Sequence, residues 1–186
     1  DAPRKPYDMH AVIDGVVGAT ISGGGPDSAG DLSGTRNEVR DEYGTVGGGT
    51  SNQAGSDTDA ADDAPGTTVG GGRDNTASGR DSTVAGGVLN TASGREATVG
   101  GGRDNTAAAD TTTAAGGEGN TAGSRGAAVG GGEDNTANGD FAAVGGGNDN
   151  TASGRSSTVG GGIGNTAPGG GSTVAGGVTN AASGDR

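Results

Sequence analysis

The chain has 186 residues, 46 of them Gly, with 27% in the hydrophobic class, 2% aromatic and no cysteine. So little bulky apolar material excludes an ordinary globular core, which at this length buries well over half of the unfolded surface, and the missing cysteines exclude disulfides and thiolate metal sites. The net charge of −12, from 23 acidic and 11 basic residues, leaves no basic stripe to neutralise phosphates and argues against nucleic-acid binding. Asp outnumbers Glu by 18 to 5, and Lys5 stands alone against ten Arg. An aspartate-rich, lysine-poor surface suits high salt, where screening suppresses carboxylate repulsion, so a halophilic source is expected. Low hydrophobicity with high net charge is also the signature of disorder. The ordered placement of the apolar residues decides against that.

Residues 1–18 hold much of the bulky apolar material (Tyr7, Met9, Val12, Ile13, Val16, Val17) and read as an N-terminal cap or a junction. No secretory apolar region and no run of ~20 apolar residues is visible, so no membrane contact is expected within this segment. Residues 19–66 read as two degenerate repeats with insertions. Thr20-Ile21-Ser22-Gly23-Gly24 leads to Asp27 and Ala29, followed by a ten-residue excess before Tyr43. Thr45-Val46-Gly47-Gly48-Gly49 leads to Asn52 and Ala54, followed by an eight-residue excess within Gly55–Gly66. The acidic stretch from Ser56 to Asp63 is expected to loop out, solvated by its charges.

Residues 67–186 hold eight regular copies of a 15-residue unit, T-V-G-G-G-x-x-N-T-A-S-G-x-x-S, the last of which reads as truncated at Asp185–Arg186, with no cap expected within this segment. Val69, Val84, Val99, Val129, Val144, Val159 and Val174 form one column, with Ala114 in the missing place. Six residues further on come Asn75, Asn90, Asn105, Asn120, Asn135, Asn150, Asn165 and Asn180. Two beyond these come Ala77, Ala92, Ala107, Ala122, Ala137, Ala152, Ala167 and Ala182. Such a period is the mark of a repeat architecture.

A 15-residue unit is too short for a helical hairpin or a propeller blade, and three glycines per copy, each costing about 1 kcal/mol against Ala, forbid a stable helix. Thr-Val and Asn-Thr-Ala are compatible with two short strands separated by Gly turns, each strand pairing with its copy about 4.8 Å away. The expected fold is therefore all-β, a parallel β-solenoid or β-roll with Val and Ala facing inward and Thr outward. Ten turns would stack to roughly 48 Å. One Val and one Ala per turn supply only ~3 kcal/mol of burial against 15 ordered residues. Sharing an interior between chains would remedy the deficit, so a homo-oligomer is expected.

The unit resembles the head repeats of trimeric autotransporter adhesins, the left-handed parallel β-roll type, and similar repeats occur in viral host-attachment fibres and spikes. The resemblance covers about residues 19–186 and is most specific over Thr67–Gly184, resting on Val69, Gly71, Gly72, Asn75, Ala77, Gly79 and their equivalents. The chain departs from the bacterial pattern in its 15-residue unit, where 14 is common, its acidity and its two N-terminal insertions. The resemblance implies a homotrimer of β-rolls packed side by side, in an extracellular fibre or spike on a cell or virion. Such a fibre would project a binding tip towards a cell-surface receptor or glycan.

Chemistry-bearing motifs are few. The glycine triplets lack the Gly-Lys-Ser/Thr of a phosphate loop and recur in every turn, so they read as turn geometry. Gly-Gly-Arg-Asp at 71–74 and 101–104 resembles part of a calcium-binding nonapeptide. The period is wrong, however, and Leu89, Gly119, Gly164 and Thr179 break the Asp column, so surface charge is the better reading. The Asn column contains no glycosylation sequon and reads as a stacked amide ladder. His10 has no nucleophile pattern beside it, and no carboxylate pair is marked as acid and base. No catalytic, cofactor or metal site is expected. Alternatives to the fibre are a glycan- or partner-binding module using its side faces or the acidic 55–66 loop and, less favoured, an ice-binding solenoid using its Thr rows.

Overall fold

A computed structural model describes residues 10–13, 15–24, 36–58 and 63–184. Among these the fold is all-β, a parallel β-solenoid built from two ten-stranded sheets. The first strands are β1 (His10–Val12), β2 (Thr20–Ile21), β3 (Asn37–Val39), β4 (Thr45–Val46), β5 (Gln53–Ala54) and β6 (Thr68–Val69). Odd strands form one sheet, which becomes a Thr-Ala sheet from Thr76 onward, and even strands form a Thr-Val sheet. From β6 on, each strand pairs with its copy 15 residues away, as Thr83↔Thr98 with Val84↔Val99, and Thr91↔Thr106 with Ala92↔Ala107. A third ladder of single bridges runs along one corner through Arg73, Val88, Arg103 and Glu118.

Two-residue strands explain how so simple a sequence specifies this shape. Alternation puts one residue of each pair inward, so Val and Ala fill the interior while Thr faces out. Val69, Val84 and Val99 are fully buried, as are Ala77, Ala92 and Ala107, and Ala114 is buried in the place a valine would take. Within each Gly triplet the third position is the turn. A Cβ added at Gly72 would stand 2.1 Å from the Gly87 carbonyl oxygen, at a φ of 93°.

The structure corrects the second turn. Asn37 and Val39, not Asp27 and Ala29, occupy the Asn and Ala columns, paired with Asn52 and Ala54. The ten-residue excess therefore lies between Gly24 and Asn37, while Asp27 and Ala29 fall outside the described residues. The reason is chemical. The buried position must donate to the Gly49 and Gly23 carbonyls, which the Asn37 amide does at 2.8 and 3.1 Å. A carboxylate cannot. Within the segment expected as a cap, β1 extends the sheet by pairing His10–Val12 with β3. Val16 packs on the interior, while Val12, Ile13 and Val17 are exposed.

Candidate functional surfaces

The three sequence columns meet inside. The Asn side chains from Asn75 to Asn165 are fully buried, and each is tied to both neighbouring turns. The Asn90 backbone N–H donates to Asn75 Oδ1 at 3.0 Å, and Asn90 Nδ2 lies within reach of Asn75 Oδ1, the Gly86 carbonyl and the Gly102 carbonyl. Every polar atom of the amide is thus spent on stacking, which is why the column tolerates burial. Asn180 and Ala182, in the last turn, are less covered. Asn37 belongs to the same ladder and escaped the sequence reading, although its spacing of 15 residues before Asn52 is the signal that finds it.

In the regular repeats charge is confined to the corners. Between residues 67 and 184 all 16 charged side chains occupy the four repeat positions of Arg73, Asp74, Arg80 and Asp81. Their ion pairs are long and exposed, such as Arg73–Asp74 at 3.5 Å and Arg103–Glu118 at 3.9 Å, a class worth little. At the Arg80/Asp81 corner the Arg125 guanidinium lies 5.0 Å from the centre of the Phe141 ring. Two columns at these corners adopt left-handed backbone. Asp74, Leu89 and Asp104 lie in one, with φ of 56°, 62° and 55°, and Asp81, Glu96 and Phe141 lie in the other. The residues that break the Asp column therefore share its backbone conformation, with Gly119 at 67° and Gly164 at 63°.

A polar cluster lies towards the N-terminus of the described residues. Glu38 accepts from Arg36 at 2.7 Å and from Arg40 at 2.6 Å, and Arg40 also pairs with Asp57 of the acidic insertion at 3.1 Å. Burial opposes ionisation of Glu38, but the two guanidiniums outweigh it and hold its carboxyl below the ordinary value. Beside it lies a shallow depression of about 220 Å³ lined by Arg36, Glu38, Ser51, Asn52 and Gln53. Among the described residues that line it Glu38 is the only carboxylate, and it is engaged by two cations. Ser56 donates its N–H to the buried Asp41 carboxylate at 2.6 Å, and Thr58 donates to Asp63. The insertion is thus held at its described ends, while Asp59 and Asp62 lie outside the described residues. No group of three or more His, Cys, Asp or Glu suited to a metal occurs among the described residues. No protein-family model matches the chain, and no curated protein matches it.

Proposed function

We propose that this chain is a structural, adhesive segment of an extracellular fibre or spike. It assembles as a homotrimer and holds a binding tip away from a cell or virion surface towards a host or other surface. The observation that supports this reading is the internal use of chemistry. In each regular turn the amide is consumed by stacking and the charges stand at corners in a pattern that changes from turn to turn. A repeated architecture of this kind supplies length and stiffness. The resemblance of the Thr-Val-Gly-Gly-Gly-x-x-Asn-Thr-Ala-Ser-Gly unit to adhesin heads points the same way. Sedimentation equilibrium on the 17.2 kDa chain should give the mass of three copies, and electron micrographs should show short rods. A stable single chain at micromolar concentration overturns the trimer. Protease protection of the chain on intact cells or virions overturns the surface location.

A second reading has its own observation. The depression beside Arg36 and Gln53, next to the insertion held by Asp57, would suit a polar partner such as a glycan. Glycan-array binding that is lost in Arg36→Ala and retained in a corner variant such as Arg125→Ala would favour this reading.

A further inference from the structure

The two sheets leave two outer faces, and these are not equivalent. On the Thr-Val sheet the outward positions carry only Thr, Ser, Ala or Gly in every turn from Thr20 to Ala175, without one charge in a chain of net charge −12. The other face is interrupted. Glu38 and Gln53 stand in its Thr column and Arg40 in the next, where Asp57 of the insertion is bound by Arg40 at 3.1 Å and by Gln53 at 2.8 Å. Further along, Asn138 and Pro168 break the same surface. Only the Thr-Val face is uniform over all ten strands.

A second observation comes from the glycines. Gly72, Gly87 and Gly102 are demanded by the chain itself, because an added Cβ would lie 2.1–2.2 Å from the next turn's carbonyl oxygen. The preceding column differs. At Gly86, Gly116 and Gly161 the φ is outside the left-handed region, and an added Cβ would meet nothing nearer than 3.8 Å. In the same column Gly48, Gly71, Gly101, Gly131, Gly146 and Gly176, at φ between 140° and 159°, do have a backbone reason to be glycine. Gly86, Gly116 and Gly161 have none within the chain. A backbone approaching closely from outside supplies one.

The size of the face is sufficient. Ten strands about 4.8 Å apart, four residues wide at ~3.3 Å each, cover about 600 Å². Two such faces bury about 1,200 Å², which reaches the range of specific interfaces. A partner that meets every turn alike must repeat at the same pitch, and a second copy of this chain does so. The corner columns, which hold the charges of the regular turns together with the exposed Leu89, Phe141, Ile163 and Val178, then flank an uncharged centre.

We infer that the Thr-Val sheet is the face on which copies of this chain pack against one another, parallel and in register along the solenoid axis. This rests on the self-associating reading above and adds to it which surface is used. The test substitutes outward residues of the full chain. Ala85→Glu, Ala115→Glu and Ala175→Glu together load the Thr-Val face, while Thr91→Glu, Thr121→Glu and Thr151→Glu load the other. The first triple should sediment as a single chain, and the second should keep the wild-type mass. If both keep it, or only the second dissociates, the face is wrong and the assembly stands. If the wild-type chain is itself single, both readings fall. Should the charged triple fail to fold, single cysteines decide, because the chain has no cysteine of its own. Ala115→Cys should form intermolecular disulfides about tenfold faster than Thr121→Cys, from its higher effective concentration. Equal rates overturn the proposal.

Discussion

At the scale of the residue, Asn105 and Ser157 are both polar, both fully buried and opposite in consequence. The Asn105 amide reaches Asn90 Oδ1 and the Gly101 and Gly117 carbonyls, and its oxygen accepts from the Asn120 N–H at 3.0 Å. Asn105→Ala strands these groups in the interior, and a buried group without its partner costs roughly 1–3 kcal/mol. The Ser157 hydroxyl has no partner, and Ala97, Ala127 and Ala142 stand in its column. Ser157→Ala removes only an unpaired polar group, so it should raise stability by about 1 kcal/mol. Urea melts of the two variants should bracket the wild type, with Asn105→Ala below and Ser157→Ala above. The opposite order would mean that the ladder is not what holds the turns together.

At the scale of the element, β3 carries a carboxyl, Glu38, whose ionisation is tied to the fold. Two guanidiniums outweigh the burial of Glu38 and lower its pKa from the ordinary value of 4.5. A lowered folded value means that the unfolded chain takes up the proton first as pH falls. The contribution of this cluster is therefore fully present above the unfolded value and is lost as pH drops through the folded one. Hydrogen exchange at the β3 amides should lose protection on acidification below about pH 4.5, and Glu38→Gln should remove that dependence. Unchanged acid sensitivity in Glu38→Gln would assign it to other carboxyls.

The strands themselves were legible in the sequence because a 15-residue period with one Val, one Asn and one Ala leaves few other ways to bury those side chains. The second turn was misread for a definable reason. Asp27 and Ala29 match the offsets after Ile21, but what fixes the register is a buried amide able to donate, and Asn37 is that amide. The left-handed corners were not legible at all. Asp, Leu, Glu and Phe hold them in different turns, so no residue type marks the position; stacking on both sides imposes a backbone that residue identity alone disfavours. The glycines hid the candidate surface. All three in a triplet read as turn residues, and only their places in the stacked chain separate the one that turns from the one whose added Cβ would meet open space.

At the scale of the whole molecule, charge is distributed unevenly along the axis. Residues 1–66 carry −8 (12 acidic, 4 basic), and residues 67–186 carry −4 (11 acidic, 7 basic). In the proposed trimer each level of charge appears three times around one axis, so repulsion concentrates at the N-terminal third. The Debye length shrinks from ~10 Å at 0.1 M salt to ~3 Å at 1 M, so added salt should stabilise the N-terminal turns most. One local contact runs the other way. The Arg40–Asp57 pair weakens with salt, but with Asp57 80% exposed such a pair contributes at most about 1 kcal/mol, less than the relief of a many-charge repulsion. Thermal melts across this salt range should therefore rise, with exchange protection gained first around β3 to β5. Replacing Asp57, Asp59, Asp62 and Asp63 with Asn should flatten the salt response and leave the solenoid intact, because none of the four belongs to the Val, Asn or Ala columns. If neither melting nor N-terminal protection responds to salt, the expectation of a halophilic source, drawn from composition, loses its physical basis. If the Asn variant keeps the full response, the repulsion resides in other carboxylates, with Glu42 and the charged corner columns the next to neutralise.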